Sequence, residues 1–340
     1  MPLGDSEGSL EAIDRLTEAA SSRQHTILFG PPGTGKTHLL SIFGDSREPY
    51  NSEMEGLEKF TISLNGGVER WLTCMIPFTP SSSEADLLWG LTVDKTGTIK
   101  PGPGWLSQFN DCLDDENIDG GLFIIDEMSR ADIVGAFGSL LTGIEHGNIQ
   151  NKYSEKPLIL SKKLFIVGTM NTADKSVKQI DFAFRRRFKW IPMLPNYDLI
   201  EEWADLVDDG LDNDPEWPEG FAHRYRRFAE MLNDSIKSDK LAGAHLQLGQ
   251  TLFFPMKILS TTLNDNSEKF RLEDLLEHLR SVLLPQLVAY VGSSGINRLQ
   301  SWLTPGDIPR KAMELEYYEI SNNDLLGMIR IVSCVPADDS

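Results

Sequence analysis

Short apolar runs alternate with longer helical periods over the first two thirds of the chain. Thr26-Ile27-Leu28-Phe29, Leu122-Phe123-Ile124-Ile125 and Leu164-Phe165-Ile166-Val167 are such runs. They have the pattern of strands buried on both faces of a parallel sheet. The stretches between them carry apolar residues at helical spacing, so Thr26 to roughly Pro195 predicts an α/β sheet with crossover helices. Asp94 to Gly104, DKTGTIKPGPG, breaks helix with its glycines and prolines and predicts a hairpin or loop at the sheet edge, either a pore or partner loop or a plain connection. After Pro195 the pattern turns mostly helical, with Leu199 to Leu206, Phe221 to Ser235 and Leu272 to Tyr290 all periodic. A polar lead, with one amphipathic segment from Leu10 to Ala20, is too short for an independent recognition domain. The expected organisation is a lead over 1–22, an α/β core over 23–195, a smaller helical domain over 196–304 and a tail over 305–340. In that tail Met328-Ile329-Arg330-Ile331-Val332 reads as a strand.

The first strand runs directly into Gly30-Pro31-Pro32-Gly33-Thr34-Gly35-Lys36-Thr37, followed by a helical pattern beginning at His38. This spacing is that of a phosphate-binding loop. Backbone N–H groups close around phosphate oxygens only where side chains do not intervene, and Gly33 and Gly35 supply that room. Lys36 is expected to reach the β and γ phosphates, Thr37 to offer its hydroxyl to Mg²⁺, and the following helix to aim its N-terminal dipole at the anion. The chain is therefore expected to bind a nucleoside triphosphate, GTP or ATP, through residues 30–38.

The second run ends in Asp126-Glu127, two carboxylates at the carboxyl edge of the sheet, where ligands of open α/β folds bind. Asp126 suits the Mg²⁺ shell with Thr37, and Glu127 suits polarisation of a water for attack on the γ phosphate. After the third run comes Gly168-Thr169-Met170-Asn171-Thr172-Ala173-Asp174. Asn171 is expected beside the triphosphate, where a neutral amide bonds both phosphate and water; the bland alternative is a turn cap. Asp174 either orients Asn171 or a neighbouring subunit's residue, or caps a helix. Arg185-Arg186-Arg187 follows the helical stretch Lys178 to Phe184. Arg187, with Arg186 next, is the candidate finger inserted into a neighbouring subunit's site; alternatively one or two of the three complement their own helix end.

Thirty-two basic residues against fifty-one acidic ones give a formal net charge of −19, the wrong sign for a chain that coats itself with nucleic acid. Any DNA contact is expected to be local, through pore loops, or borrowed from a partner. The acidic stretch Glu201 to Glu219 reads as a solvated helix end and loop. Cys74, Cys112 and Cys334 lie too far apart for a disulfide framework or zinc site, and the six histidines show no metal-ligand spacing. Trp89, Trp105 and Trp190 read as residues that pack or line an interface rather than stack on bases. With no run of about twenty apolar residues and no apolar leader, a cytoplasmic protein without a membrane span is expected.

Together GPPGTGKT, FIIDEMSRAD, GTMNTADKS and DFAFRRRF resemble the AAA+ module of the McrB family, the motor subunits of modification-dependent restriction systems. Leu246 to Pro255, LQLGQTLFFP, is similar to a segment of that family's helical lid, and Leu284-Pro285-Gln286-Leu287 to a later lid helix. The resemblance spans about residues 24 to 292. It implies a three-layer P-loop AAA+ sandwich with a parallel sheet and a helical lid. It also implies a homo-hexameric ring hydrolysing nucleotide between subunits, DNA translocation with an McrC-like nuclease subunit, and a preference for GTP. By motif, Lys36 and Thr37 would bind phosphate and Mg²⁺, Asp126 and Glu127 would form the Walker B pair, and Asn171 and Asp174 would be signature-loop residues. Lys175 stands where the family usually has arginine, and target recognition is expected to lie on another chain or to be missing. Arg298 is a candidate for a second basic sensor. Asp86-Leu87-Leu88-Trp89-Gly90 and Pro101-Gly102-Pro103-Gly104 also resemble the related MoxR-type ATPases, which remodel proteins.

Overall fold

Buried apolar runs set the sheet. The computed structural model describes residues 7–52, 54–93, 97–174, 180, 182–208, 220–255, 270–291, 296–303, 325 and 327–329. In chain order its first elements are α1 (Glu7–Ser21), β1 (Thr26–Gly30), α2 (Lys36–Ile42), β2 (Glu48–Pro49), β3 (Glu58–Leu64), β4 (Gly67–Pro77), α3 (Glu84–Leu87), β5 (Trp89–Val93), β6 (Ile99–Pro103) and α4 (Trp105–Cys112). Then come β7 (Gly120–Asp126), α5 (Ile133–His146), β8 (Asn148–Ile149), β9 (Leu158–Ile159), β10 (Leu164–Asn171), α6 (Phe182–Arg185) and β11 (Lys189–Pro192). The main sheet has the order β11-β1-β10-β7-β4-β3-β2, with β11, β1, β10, β7 and β4 parallel and the β4-β3-β2 edge antiparallel. The fold is α/β with a mostly parallel sheet, as the apolar runs imply.

Two compact units emerge. One comprises Leu10–Gly30 and Lys36–Met193 and holds the whole main sheet; the other comprises Met1–Ser9, Pro31–Gly35 and Leu194–Ser340. In the sheet unit, Ile27, Leu72, Phe123, Ile125, Ile166 and Phe137 are part of one buried apolar cluster. In the other, α7 (Tyr197–Ala204), α8 (Phe221–Ser238), α9 (Leu272–His278), α10 (Leu284–Val291) and α11 (Ile296–Leu303) contribute to a second cluster built on Trp203, Tyr225, Phe228, Phe253 and Phe254. A π-helical stretch, Leu279–Leu283, joins α9 to α10 just before Pro285, which has no N–H for the ordinary helical bond.

Several elements differ from the sequence expectation. The helix after the phosphate loop starts at Lys36 rather than His38, because its first turn takes up the end of the motif itself. Residues 327–329 are helical rather than strand; their apolar run is short, and length and flanks rather than periodicity decide such cases. The β3–β4 hairpin went unread, although Asn65-Gly66 is a strong turn signal; both residues have positive φ, 52° and 78°, as the tight primed turn requires. The hairpin expected around Asp94 to Gly104 has its arms at β5 and β6, paired Val93 with Ile99; residues 94–96 lie outside the described residues. So do Lys175, Lys178, residues 209–219 of the acidic stretch, Cys334 and most of the tail. Cys74 is buried and Cys112 half-buried, both free thiols. Among the described residues no helix is long and apolar enough to cross a membrane.

His25 fixes the start of β1. Its Nδ1 accepts the Ile166 N–H at 3.1 Å and its carbonyl accepts the Lys189 N–H at 2.8 Å, so it ties β1 to both neighbours, β10 and β11. The residue keeps some surface at its edge, yet burial of the ring pushes its pKa from 6.5 down to about 4. The unfolded chain therefore takes up a proton before the folded one does. His25's contribution to stability is complete above pH 6.5, falls by at most about 1.4 kcal/mol per pH unit as pH drops towards 4, and is flat below that. Chemical-denaturation midpoints of the wild type and His25→Asn between pH 7 and 4 should converge as pH falls; parallel curves would assign the acid sensitivity elsewhere.

Candidate nucleotide-hydrolysis site

The carboxyl edge of the sheet gathers the polar residues because β1, β7 and β10 all end there. Gly30 closes β1, and a Cβ on it would lie 2.0 Å from the Met193 carbonyl oxygen, so no side chain fits at the first position of the loop. Gly33 and Gly35 have φ of 81° and 83°, in the left-handed region that other residues enter only at a cost. Lys36 is buried, and its Nζ donates to the Gly30 carbonyl at 3.1 Å. Burial pushes its pKa from 10.5 down to about 8, against the pull of the Asp126, Asp174 and Glu127 carboxylates. A cation held at such desolvation cost suits an anionic ligand that repays it.

Thr37 and Asp126 meet, the hydroxyl donating to Oδ1 at 2.7 Å. Thr169, fully buried in β10, donates to the same oxygen at 2.6 Å and accepts the Glu127 N–H at 2.9 Å. Thr169 thus ties together the two carboxylate residues, a role the sequence reading missed; its place within GTMNTAD was the available signal. The Thr37 hydroxyl and Asp126 carboxylate are hard oxygen donors of the kind Mg²⁺ takes, with most of its shell left to water and phosphate. The donor set fits that ion. Among the described residues no cluster of three or more His, Cys, Asp or Glu side chains could hold a metal.

Glu127 has a left-handed backbone, φ 53°, and its carboxylate is gripped by Arg130, with Nε–Oε2 at 2.9 Å and Nη2–Oε1 at 3.0 Å. Asn171 ends β10 directly beside Gly30 in the parallel register, and the Thr172 N–H donates to the Gly30 carbonyl at 3.0 Å. Asp174 accepts a hydrogen bond from Ser129, which binds the exit of β10 to the turn after Glu127. Lys36, Thr37, Asp126, Glu127, Asn171 and Asp174 therefore converge within the sheet unit. His38 is half-buried on α2, its carbonyl accepting the Ser41 hydroxyl at 2.7 Å.

The arginine run does not join them. Arg187 donates to the Ala183 carbonyl at 2.6 Å and pairs with Glu145 on α5, leaving its side chain 13% exposed. Arg186 is 65% exposed, with Glu145 at 3.6 Å. Arg185 lies over Trp190 at 5.6 Å, and the Trp190 indole N–H donates to its carbonyl.

In the other unit the tip of the loop, Pro31–Gly35, packs on the segment Gly249–Thr251. The Pro32 carbonyl accepts the Gly249 N–H at 2.9 Å. The Gly33 carbonyl accepts both the N–H and the hydroxyl of Thr251 at 3.0 Å. The Thr34 carbonyl accepts Gln250 Nε2 at 3.1 Å, and the Thr34 hydroxyl donates to the Pro31 carbonyl at 3.1 Å. LQLGQTLFFP stood out in the sequence, but nothing there announced that it touches the loop. Arg298, the sensor candidate, is engaged by Asp239 through two bonds of 2.9 and 2.8 Å and lies 5.4 Å from the Trp302 ring. That pairing holds the Asp239 carboxyl far below the usual carboxylate range.

Residues 25–188 match the family described as AAA domain (dynein-related subfamily). The chain is similar to the type IV methyl-directed restriction enzyme EcoKMcrB subunit of Escherichia coli (strain K12), with 26% identity over 250 residues, 71% of this chain and 50% of that protein. The aligned region thus spans half the length of that relative. A shorter match, 32% identical over 98 residues, covers 27% of this chain and 3% of the 3'-5' exoribonuclease HELZ2 of Mus musculus. A crystal structure of a provisionally assigned ATPase from Cytophaga hutchinsonii covers 95% of this chain and 80% of its own at 14% identity, with a TM-score of 0.35 that carries no argument.

Proposed function

We propose, from the premise that residues 25–188 belong to the dynein-related subfamily of AAA domains, that this chain is the motor subunit of an McrBC-like DNA restriction system. It is a P-loop nucleoside triphosphatase related to McrB. The proposed reaction is hydrolysis of GTP or ATP at the interface between copies in a hexameric ring. The observation that carries the reading is a division of labour. The chain's own Lys36, Thr37, Asp126 and Glu127 meet at one sheet edge, while Arg186 and Arg187 pair with Glu145 instead, the Arg186 side chain 65% exposed.

In this reading Lys36 and the loop N–H groups bind the phosphates, and Thr37 and Asp126 would hold a Mg²⁺ ion. When bound, that ion offsets negative charge on the β and γ phosphates. Asn171 orients the attacking water and hydrogen-bonds the γ phosphate. Glu127 accepts the water's proton as the new P–O bond forms and the bond to the β-phosphate oxygen breaks. Arg186 of one copy neutralises charge at its neighbour's γ phosphate. Arg187, the first choice from sequence, is assigned the second place because its guanidinium is engaged by Glu145 and the Ala183 carbonyl.

Turnover of GTP and ATP, each measured with and without DNA, tests the reading. A co-purifying McrC-like nuclease should raise turnover, and the better of the two nucleotides names the substrate. A stable complex with a client protein in place of a nuclease would move the assignment to a MoxR-type remodelling ATPase.

A further inference from the structure

We propose that Gln250 and Thr251 are positioning residues of the phosphate loop, holding its carbonyls back so that its N–H groups face the phosphates. The inference rests on the reading of Gly30–Thr37 as a triphosphate site and goes beyond it. In a planar trans peptide, the C=O of one residue and the N–H of the next point in opposite directions. The carbonyls of Pro32, Gly33 and Thr34 all accept hydrogen bonds from Gly249, Thr251 and Gln250. The N–H groups of Gly33, Thr34 and Gly35 are consequently turned away from that segment. Three consecutive N–H groups turned one way are what an anion-binding nest requires.

The donors are built in rather than merely nearby. A Cβ on Gly249 would lie 2.1 Å from the Gly33 carbonyl carbon and 2.3 Å from the Thr34 nitrogen, so only glycine lets the two backbones approach this closely. Gln250 is 2% exposed. While its Nε2 donates to Thr34, its Oε1 accepts the Asn196 N–H at 3.2 Å, and Asn196 in turn caps α7 by accepting the Leu199 N–H at 3.2 Å. With both ends of the amide committed, the carboxamide cannot rotate away from the loop. Thr251 supplies two donors to one oxygen, and its hydroxyl is the one that a substitution can remove. A loop already fixed in the binding conformation does not lose that freedom when the nucleotide arrives, so its affinity is higher than that of a loose loop.

Equilibrium binding of fluorescent ATP and GTP, with Mg²⁺, to the full chain distinguishes this role from simple packing. Thr251→Val should raise Kd about five- to tenfold, the size of one neutral hydrogen bond lost, and Gln250→Leu, which also removes the Oε1 that accepts the Asn196 N–H, at least as much. Thr251→Ser, which keeps the hydroxyl, should bind as the wild type does. Lowered melting temperatures with unchanged Kd values would overturn the proposal, leaving these residues as packing only. Lys36→Ala is the control for the underlying reading. If the wild type binds neither nucleotide, or Lys36→Ala binds as well as wild type, the phosphate-loop reading fails. If Lys36→Ala loses binding while Thr251→Val and Gln250→Leu keep the wild-type Kd, only the positioning role fails. Should the variants not fold, hydrogen exchange on the wild type decides. The Gly249 and Thr251 amides should exchange more slowly with nucleotide bound, and equal rates would overturn the proposal.

Discussion

Arg186→Ala abolishes turnover while leaving nucleotide affinity nearly intact: kcat is expected to fall by about 10³-fold or more, the scale of a missing arginine finger. The side chain is exposed and lies beside Glu145 rather than beside its own chain's Thr37–Asp126 cluster, so its loss disturbs neither the fold nor the resident phosphate loop. Arg187→Ala should behave differently. It removes bonds to the Ala183 carbonyl and Glu145, so it should lower stability as well as turnover. Supply from a neighbour has a further signature. Mixed with Glu127→Gln subunits, the Arg186→Ala protein should regain activity, since a pocket with an intact base then meets an intact arginine at about a quarter of the interfaces of a closed ring. If Arg186→Ala turns over nucleotide normally, or the mixture stays inactive, hydrolysis does not depend on a neighbour's Arg186.

Glu127→Gln should lower kcat by about 10² to 10⁴, the usual range for a general base, with nucleotide binding retained. The amide has nearly the shape of the carboxylate and keeps an oxygen for Arg130, whose grip on Glu127 spans 2.9 to 3.0 Å. The Glu127 N–H bond to Thr169 belongs to the backbone and survives the substitution. Single-turnover measurements separate chemistry from product release, and a variant that hydrolyses at the wild-type rate would remove Glu127 from the reaction.

Much of the sheet and of the gathering of polar residues at its edge was legible in the sequence, because both depend on local patterns. Leu122–Ile125 and Leu164–Val167 are apolar runs that could only be buried strands in this context, and their polar ends fall at one edge because parallel strands end together. What escaped depends on contacts across long sequence separations. Thr169 looks like any strand threonine until Asp126 and the Glu127 N–H are found on either side of its hydroxyl. Glu145 is an ordinary surface acid on α5 until it meets two arginines some forty residues on. Gln250 lies more than two hundred residues from Thr34, and no periodicity encodes that bond. Nor does the sequence tell that Arg187 and Arg186 share Glu145, the first with 13% and the second with 65% of its side chain exposed.

The left-handed backbone at Glu127 makes that site answer to two unrelated demands. The proposed chemistry asks for a carboxylate, whereas conformation favours glycine, asparagine or aspartate and costs other residues about 1–2 kcal/mol. Glutamate meets the first demand and bears the cost of the second. A saturation screen at residue 127 should therefore rank its variants in two different orders, one by catalysis and one by yield of folded protein, with asparagine near the bottom of the first and near the top of the second.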